Sequence, residues 1–261
     1  MGTTRQPAVA GSFYPADRQT LGAMVDALLH EAGTGLPAPK ALIVPHAGYV
    51  YSGPIAASAY ACLLNRGRQF TRVVLLGPAH RVPFHGLAVS TATEFATPLG
   101  SVPLDLAAIR ELETMPQIHF MDAAHELEHS LEVHLPFLQR TLGEFSLVPL
   151  VVGNASAADV AGALELVWNG PATLVIVSSD LSHYHSYETA TRMDRETSTL
   201  IEALDYQAID CDHACGSTPV AGLLLYAKQH DLSVTTVDLR NSGDTAGPRD
   251  RVVGYGAYVV N

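Results

Sequence analysis

The chain has 261 residues, 48% of them hydrophobic and 16% charged, and a formal net charge of −11. That balance excludes a disordered chain and implies a large core, and the acidic field argues against binding a phosphate backbone. The three cysteines, Cys62, Cys211 and Cys215, are too few for a disulfide framework; with no signal-like apolar segment at the N-terminus and no stretch of membrane-spanning length, the expected setting is the reducing cytoplasm.

Residues 8–16 read as an ordered loop of small residues and two aromatics. Asp17 is placed to cap a helix running to about His30, with Leu21, Met24, Val25, Leu28 and Leu29 on one face. A linker over residues 33–39 leads to an apolar run, Ala41-Leu42-Ile43-Val44, that stops at Pro45-His46. An alanine-rich helix is expected over 55–64, then a strand over 72–77 that ends in Gly77-Pro78-Ala79-His80. A further strand is expected over 87–90. Pro98, Gly100 and Pro103 make residues 91–103 read as irregular. Helices are expected over 104–115 and 127–142, the second entered through an acidic, histidine-rich stretch. The strand 147–152, helix 156–168 and strand 173–178 form a βαβ pattern. A helix over 187–204, a loop carrying Cys211 to Pro219, a helix over 220–230 and strands over 233–239 and 252–260 complete the chain. No repeat or composition break divides it, so residues 1–261 read as a single domain. Its class is α/β, with a central mixed, largely parallel sheet flanked by helices.

Three apolar strands end in chemistry-bearing residues. His46 and His80 each follow a strand and a proline-containing turn, and Ser178-Ser179-Asp180-Leu181-Ser182-His183 follows a third. Ligands of open α/β sheets bind at the carboxyl ends of such strands. Imidazoles delivered there from separate strands have the fixed backbone origins that a metal site needs. Asp180 lies three residues from His183, where a carboxylate can orient an imidazole and raise its basicity; the plainer role for Asp180 is a helix cap. Cys215, next to Gly216 and just before a helix, either completes a His-His-Cys set or is an inert buried thiol. Cys62 and Cys211 look structural. The stretch from His125 through Glu126 to His129 spells H-E-x-x-H, which on a helix places two imidazoles and a general base together. No G-x-x-H extension follows it. The other readings of this stretch are an acidic helix entry and a supporting role beside the metal for Glu128, His129, Glu132 and His134.

Pro45-His46-Ala47-Gly48-Tyr49, Gly77-Pro78-Ala79-His80, the run from Glu128-His129-Ser130 to Pro136, the segment Ser178–His183 and Cys215-Gly216 resemble, in order, the motifs of the Memo family. Ala10-Gly11-Ser12-Phe13-Tyr14-Pro15 resembles that family as well. The resemblance implies a fold similar to the catalytic subunits of class III extradiol dioxygenases, which use non-haem iron. It implies His46, His80 and Cys215 as metal ligands, with cysteine where those dioxygenases carry glutamate. It implies His183 as the acid/base, with Asp180 beside it. Expected cofactors are Fe(II) first, with copper or zinc as alternatives. The expected activity is oxidation of a catechol-like or enediol molecule in a pocket lined by Tyr14, Tyr49 and Phe84. The alternatives are a non-catalytic metal-binding module that takes a peptide or phosphopeptide, and a zinc hydrolase. AMMECR-type and radical-SAM proteins are the partners the resemblance implies.

Overall fold

A computed structural model describes residues 2–33, 39–64 and 69–261. Most of the 33–39 linker lies outside the described residues. In chain order the elements are β1 (Thr4–Arg5), α1 (Arg18–Ala32), β2 (Ala41–Val44), α2 (Tyr49–Tyr60), β3 (Arg72–Pro78), β4 (Leu87–Val89), β5 (Glu94–Thr97), β6 (Gly100–Pro103), α3 (Leu106–Leu112) and β7 (Ile118–Phe120). They continue with α4 (Asp122–Glu126), α5 (Leu135–Thr141), β8 (Ser146–Val152), α6 (Ala157–Val167), β9 (Thr173–Ser178), β10 (His183–His185), α7 (Tyr187–Glu202), α8 (Ser217–Gln229), β11 (Val234–Asn241) and β12 (Val252–Val260).

The main sheet has nine strands in the order β10-β12-β2-β9-β3-β8-β4-β7, with β11 also paired to β12. β2, β9, β3 and β8 run parallel, and β12 and β4 flank them antiparallel. Every residue of β2 and β9 is buried. This is why these strands read as unbroken apolar runs rather than alternating ones: a parallel sheet is covered on both faces. One helical group joins α1, α2 and α5, another joins α3, α6 and α8, and α7 packs on β11 and β12. The parallel register brings the carboxyl ends of β2, β9 and β3 to one edge, with Val44 opposite Ser178 and Leu76 opposite Val177.

Two sequence expectations are corrected. Residues 91–103 are not irregular: Glu94–Thr97 and Gly100–Pro103 form an antiparallel hairpin, to which Thr4–Arg5 adds as a parallel strand. Gly100 has φ 134, a conformation open to glycine that lets the turn close. The helix over 127–142 does not form as one piece. α4 ends at Glu126, residues 127–131 form no helix, Glu132–His134 make a single 3-10 turn, and α5 begins at Leu135 with Pro136 in its first turn. Glu128 and Glu132 are each held by partners distant in sequence, and those tertiary bonds override helical propensity.

Candidate metal centre

His46 follows β2 and is 2% exposed. Its backbone N–H donates to Asp180 Oδ1 at 2.8 Å, and its Nδ1 lies 2.6 Å from Ser178 Oγ at the end of β9. A chain of buried groups fixes the ring's tautomer. Tyr60 O–H donates to His134 Nδ1 at 3.0 Å, which leaves Nε2–H of the neutral His134 to donate to Ser178 Oγ at 2.9 Å. Burial, with His129 adding to it, holds the His134 pKa down at about 3, so the ring is neutral. The single Ser178 hydroxyl proton goes to the Ser130 carbonyl at 2.6 Å. Ser178 Oγ therefore accepts from His46, so Nδ1 carries the proton and Nε2 presents its lone pair.

His80 follows β3 and is fixed by a different device. Glu128 accepts from His80 N–H at 2.6 Å and from its Nδ1–H at 2.9 Å, and also from the backbone N–H groups of His129 and Ser130. Burial alone would raise the Glu128 carboxyl, but these bonds outweigh it and hold its pKa down at about 2. The carboxylate anchors Nδ1 and leaves His80 Nε2 as the free lone pair. Gly77 lets β3 pass this turn: a Cβ there would lie 2.8 Å from Ser130 Oγ and 2.9 Å from Leu131 Cδ2.

Cys215 arrives from the loop before α8. Its Sγ lies 3.3 Å from His46 Nε2 and accepts from the Asp180 N–H at 3.3 Å. The next residue, Gly216, donates its N–H to Ser179 Oγ at 2.9 Å. A Cβ on Gly216 would fall 2.6 Å from the Ser178 carbonyl oxygen and 2.8 Å from Ser179 Cβ. Burial, reinforced by Asp180, pushes the thiol up to about 12, so a bound cation displaces its proton. One ligand atom each from His46, His80 and Cys215 lies within 4.8 Å of the others. Around a tetrahedral ion, nitrogen and sulfur donors at ordinary bond lengths sit about 3.5 Å apart, close to the observed His46–Cys215 separation of 3.3 Å. The donor set therefore fits a borderline or soft divalent ion, or Cu(I).

His80, Glu128 and His129 also lie close enough to hold a cation. Glu128 is already committed to the four hydrogen bonds described, so its place is behind His80. The His129 ring stacks on His80 with centroids 4.6 Å apart and meets the His46 ring edge-on at 5.4 Å.

Above these groups opens a cleft of about 460 Å³, lined by His46, His80, His129, Asp180 and His183. His183 donates Nδ1–H to the Leu181 carbonyl at 2.7 Å, which leaves Nε2 as an acceptor. Burial lowers its pKa, partly offset by that bond, so the ring is neutral at pH 7. Asp180 does not orient this ring. Its carboxyl holds the His46 backbone instead, and burial raises its pKa to about 7 against the N–H groups of His46 and Ala47.

Three expected pocket residues lie elsewhere. Tyr14 and Tyr49 are each 3% exposed in the core: Tyr14 O–H donates to Glu132 at 2.5 Å, and Tyr49 O–H to the Val133 carbonyl at 2.6 Å. Phe84 packs on Gly153. Glu132 also lies outside the cleft, paired with Arg5 and accepting from the N–H groups of Ala8 and Val9. The aromatic walls are Phe13, Tyr51, Tyr184 and Tyr255, with Arg251 at the rim. Phe13 was within reach of the sequence as the other aromatic of the ordered loop that carries Tyr14. Tyr184 and Arg251 meet only through strand pairing and carried no sequence signal.

The H-E-x-x-H stretch is not a helical metal site. α4 stops before Glu128, and the His125 ring is 2% exposed, with Nε2 3.1 Å from the Ala88 carbonyl and its ring edge-on to Phe95. The two imidazoles share no helical face.

The family model described as Memo-like protein matches residues 5–259. A MEMO1 family protein of Sulfolobus acidocaldarius is 36% identical over 96% of this chain and 97% of its own. One from Metallosphaera sedula is 32% identical with the same coverage. An uncharacterized protein of Escherichia coli K12 has a similar fold, with a TM-score of 0.51 and 12% identity over 84% of this chain and 98% of its own. No helix among the described residues is long and apolar enough to cross a membrane. On the extent of these matches, the chain belongs to the Memo-like family.

Proposed function

We propose that His46, His80 and Cys215 hold a redox-capable metal, Fe(II) in the first instance, and that the cleft oxidises a catechol-like or enediol molecule. The observation that carries this reading is the convergence of the three donors within 4.8 Å, two of which, His46 and His80, line a cleft that His183 also lines. Bound there, iron supplies a centre that brings an enediol and dioxygen together. The chain's own residues do the rest. Ser178 and Glu128 fix the two imidazole tautomers, so both rings bind without rearrangement. His183, neutral and with Nε2 open, takes a hydroxyl proton from the substrate. Phe13, Tyr51 and Tyr255 give a planar ring apolar walls.

The test is anaerobic Fe(II) titration followed by oxygen-electrode assays over a catechol panel. We expect near-stoichiometric Fe(II) binding that is lost in His46→Ala. Oxygen uptake is expected to be lost in His183→Ala while that variant still binds iron. Metal binding with no oxygen uptake by the wild type across the panel overturns the catalytic reading.

The thiolate supports a second reading. Sulfur in place of a carboxylate favours copper or zinc over Fe(II) and is itself oxidisable. Under that reading the chain is a metal-binding module without turnover, and the cleft takes a peptide. Copper or zinc in protein purified without added metal, with no oxygen uptake, would favour it.

A further inference from the structure

We infer that the cleft selects anionic ligands, and that Arg251 is the residue that selects them. The inference rests on the cleft being a substrate site, as proposed above, and names the class: a planar molecule carrying a carboxylate.

Arg251 sits immediately before β12, where Val252 pairs with His185 and Val253 with His183. That register places its guanidinium over the ring of Tyr184, 4.6 Å from the centroid. Among the described residues Arg251 makes no ion pair and no side-chain hydrogen bond. Its neighbour Arg249 differs: that guanidinium covers Tyr187 and its Nε donates to the Gly243 carbonyl. Arg251 is thus held in place by an aromatic face while its N–H donors stay unspent. A guanidinium presents them as a fork matched to a carboxylate.

Tyr184 is 61% exposed and has φ 65, a left-handed backbone that a bulky residue rarely adopts. Such a conformation persists where the surroundings impose it. Here the β10–β12 pairing shifts register between His183 and His185, which turns the Tyr184 ring outward beneath Arg251. The proposed base and the anion-binding platform are therefore consecutive residues on one strand.

The charge balance makes this cation informative. A chain of net charge −11 repels small anions in general, so an anionic substrate gains from a positive side chain in the cleft wall in addition to any metal held there. In the cleft wall Arg251 is the arginine or lysine, and the other titratable groups there are His46, His80, His129, Asp180, His183 and the phenols of Tyr51, Tyr184 and Tyr255. Asp180 is turned to the His46 backbone.

The test is ligand-observed NMR titration of the purified chain with two matched pairs: 3,4-dihydroxybenzoate against catechol, and benzoate against benzyl alcohol. In the wild type each anion is expected to bind about tenfold more tightly than its neutral partner, the size of one charge-assisted contact. Arg251→Gln is expected to reduce both preferences to about twofold or less, and Arg251→Lys to retain part of them. Because Arg251 is exposed, the variants are expected to keep the wild-type thermal midpoint, which confirms that the readout is local. Equal affinity for anion and neutral in the wild type, no binding of any probe, or an unchanged preference in Arg251→Gln overturns the inference. The benzoate pair lacks vicinal hydroxyls and needs no metal. An Arg251-dependent benzoate preference in a chain that binds no iron would sustain anion selection while removing the proposed oxidation.

Discussion

Glu128 and Glu132 are the same residue type, one helical turn apart in sequence and almost equally buried, at 2% and 1% exposure, yet they serve different regions. Glu128 lies behind His80 and spends its oxygens on that residue and on the backbone N–H groups of His129 and Ser130. Glu132 faces away. It pairs with Arg5 and gathers the N–H groups of Ala8 and Val9 and the hydroxyl of Tyr14. Glu128 sets the direction of a lone pair; Glu132 ties the N-terminal segment, and so Phe13 at the cleft wall, to the rest of the fold. A buried carboxylate here is defined by its donors, not by its sequence neighbourhood.

The largest effect expected is at Glu132. Removing one partner of a buried pair leaves the other charge uncompensated, which costs about 3–5 kcal/mol. Glu132→Ala should therefore lower urea-unfolding stability by that amount while the folded fraction binds metal almost as tightly as the wild type. A loss of metal affinity as large as that of a Glu128 variant would erase the distinction between the two glutamates. Glu128→Gln should show the converse: metal affinity about 10–100-fold weaker, the usual consequence of losing the partner that orients a ligating imidazole, read by competition with a chromogenic chelator.

A third effect concerns pH, through the histidines flanking this segment. Burial, the dominant cause for each, holds His125 at about 4 and His134 at about 3. In the unfolded chain both protonate near 6.5. Folding stability from their neutral state is complete above about pH 6.5 and is lost as pH falls toward 4 and then 3. Urea midpoints measured between pH 7 and pH 4 should fall steadily, and the fall should be shallower in His125→Gln. A flat profile over that interval would show that the two rings are not held neutral.

The sheet was legible because its central strands carry their burial on both sides. Ala41–Val44, Val73–Leu76 and Leu174–Val177 have no polar positions to confuse the reading, and His46, His80 and Asp180 follow at their ends. Local patterning failed where distant partners decide the structure. Arg5, far away in sequence, holds Glu132 and accounts for both the short β1 and the broken helix after Glu126. The Tyr14 and Tyr49 rings turn inward because a buried carboxylate and a free carbonyl need donors there. The Tyr184–Arg251 platform depends on the β10–β12 register, which a single sequence does not specify.

Gly216 sets a tolerance on the whole centre. Cys215 and Gly216 hang from the two residues that follow β9: the Cys215 N–H donates to the Asp180 carbonyl at 3.2 Å, and the Gly216 N–H to Ser179 Oγ. Where a methyl group would have to sit, the β9 backbone already does. Even alanine at 216 would pry the loop off the sheet edge and carry the sulfur away from both imidazoles. The reach of the third donor is thus governed by a side chain the protein leaves out.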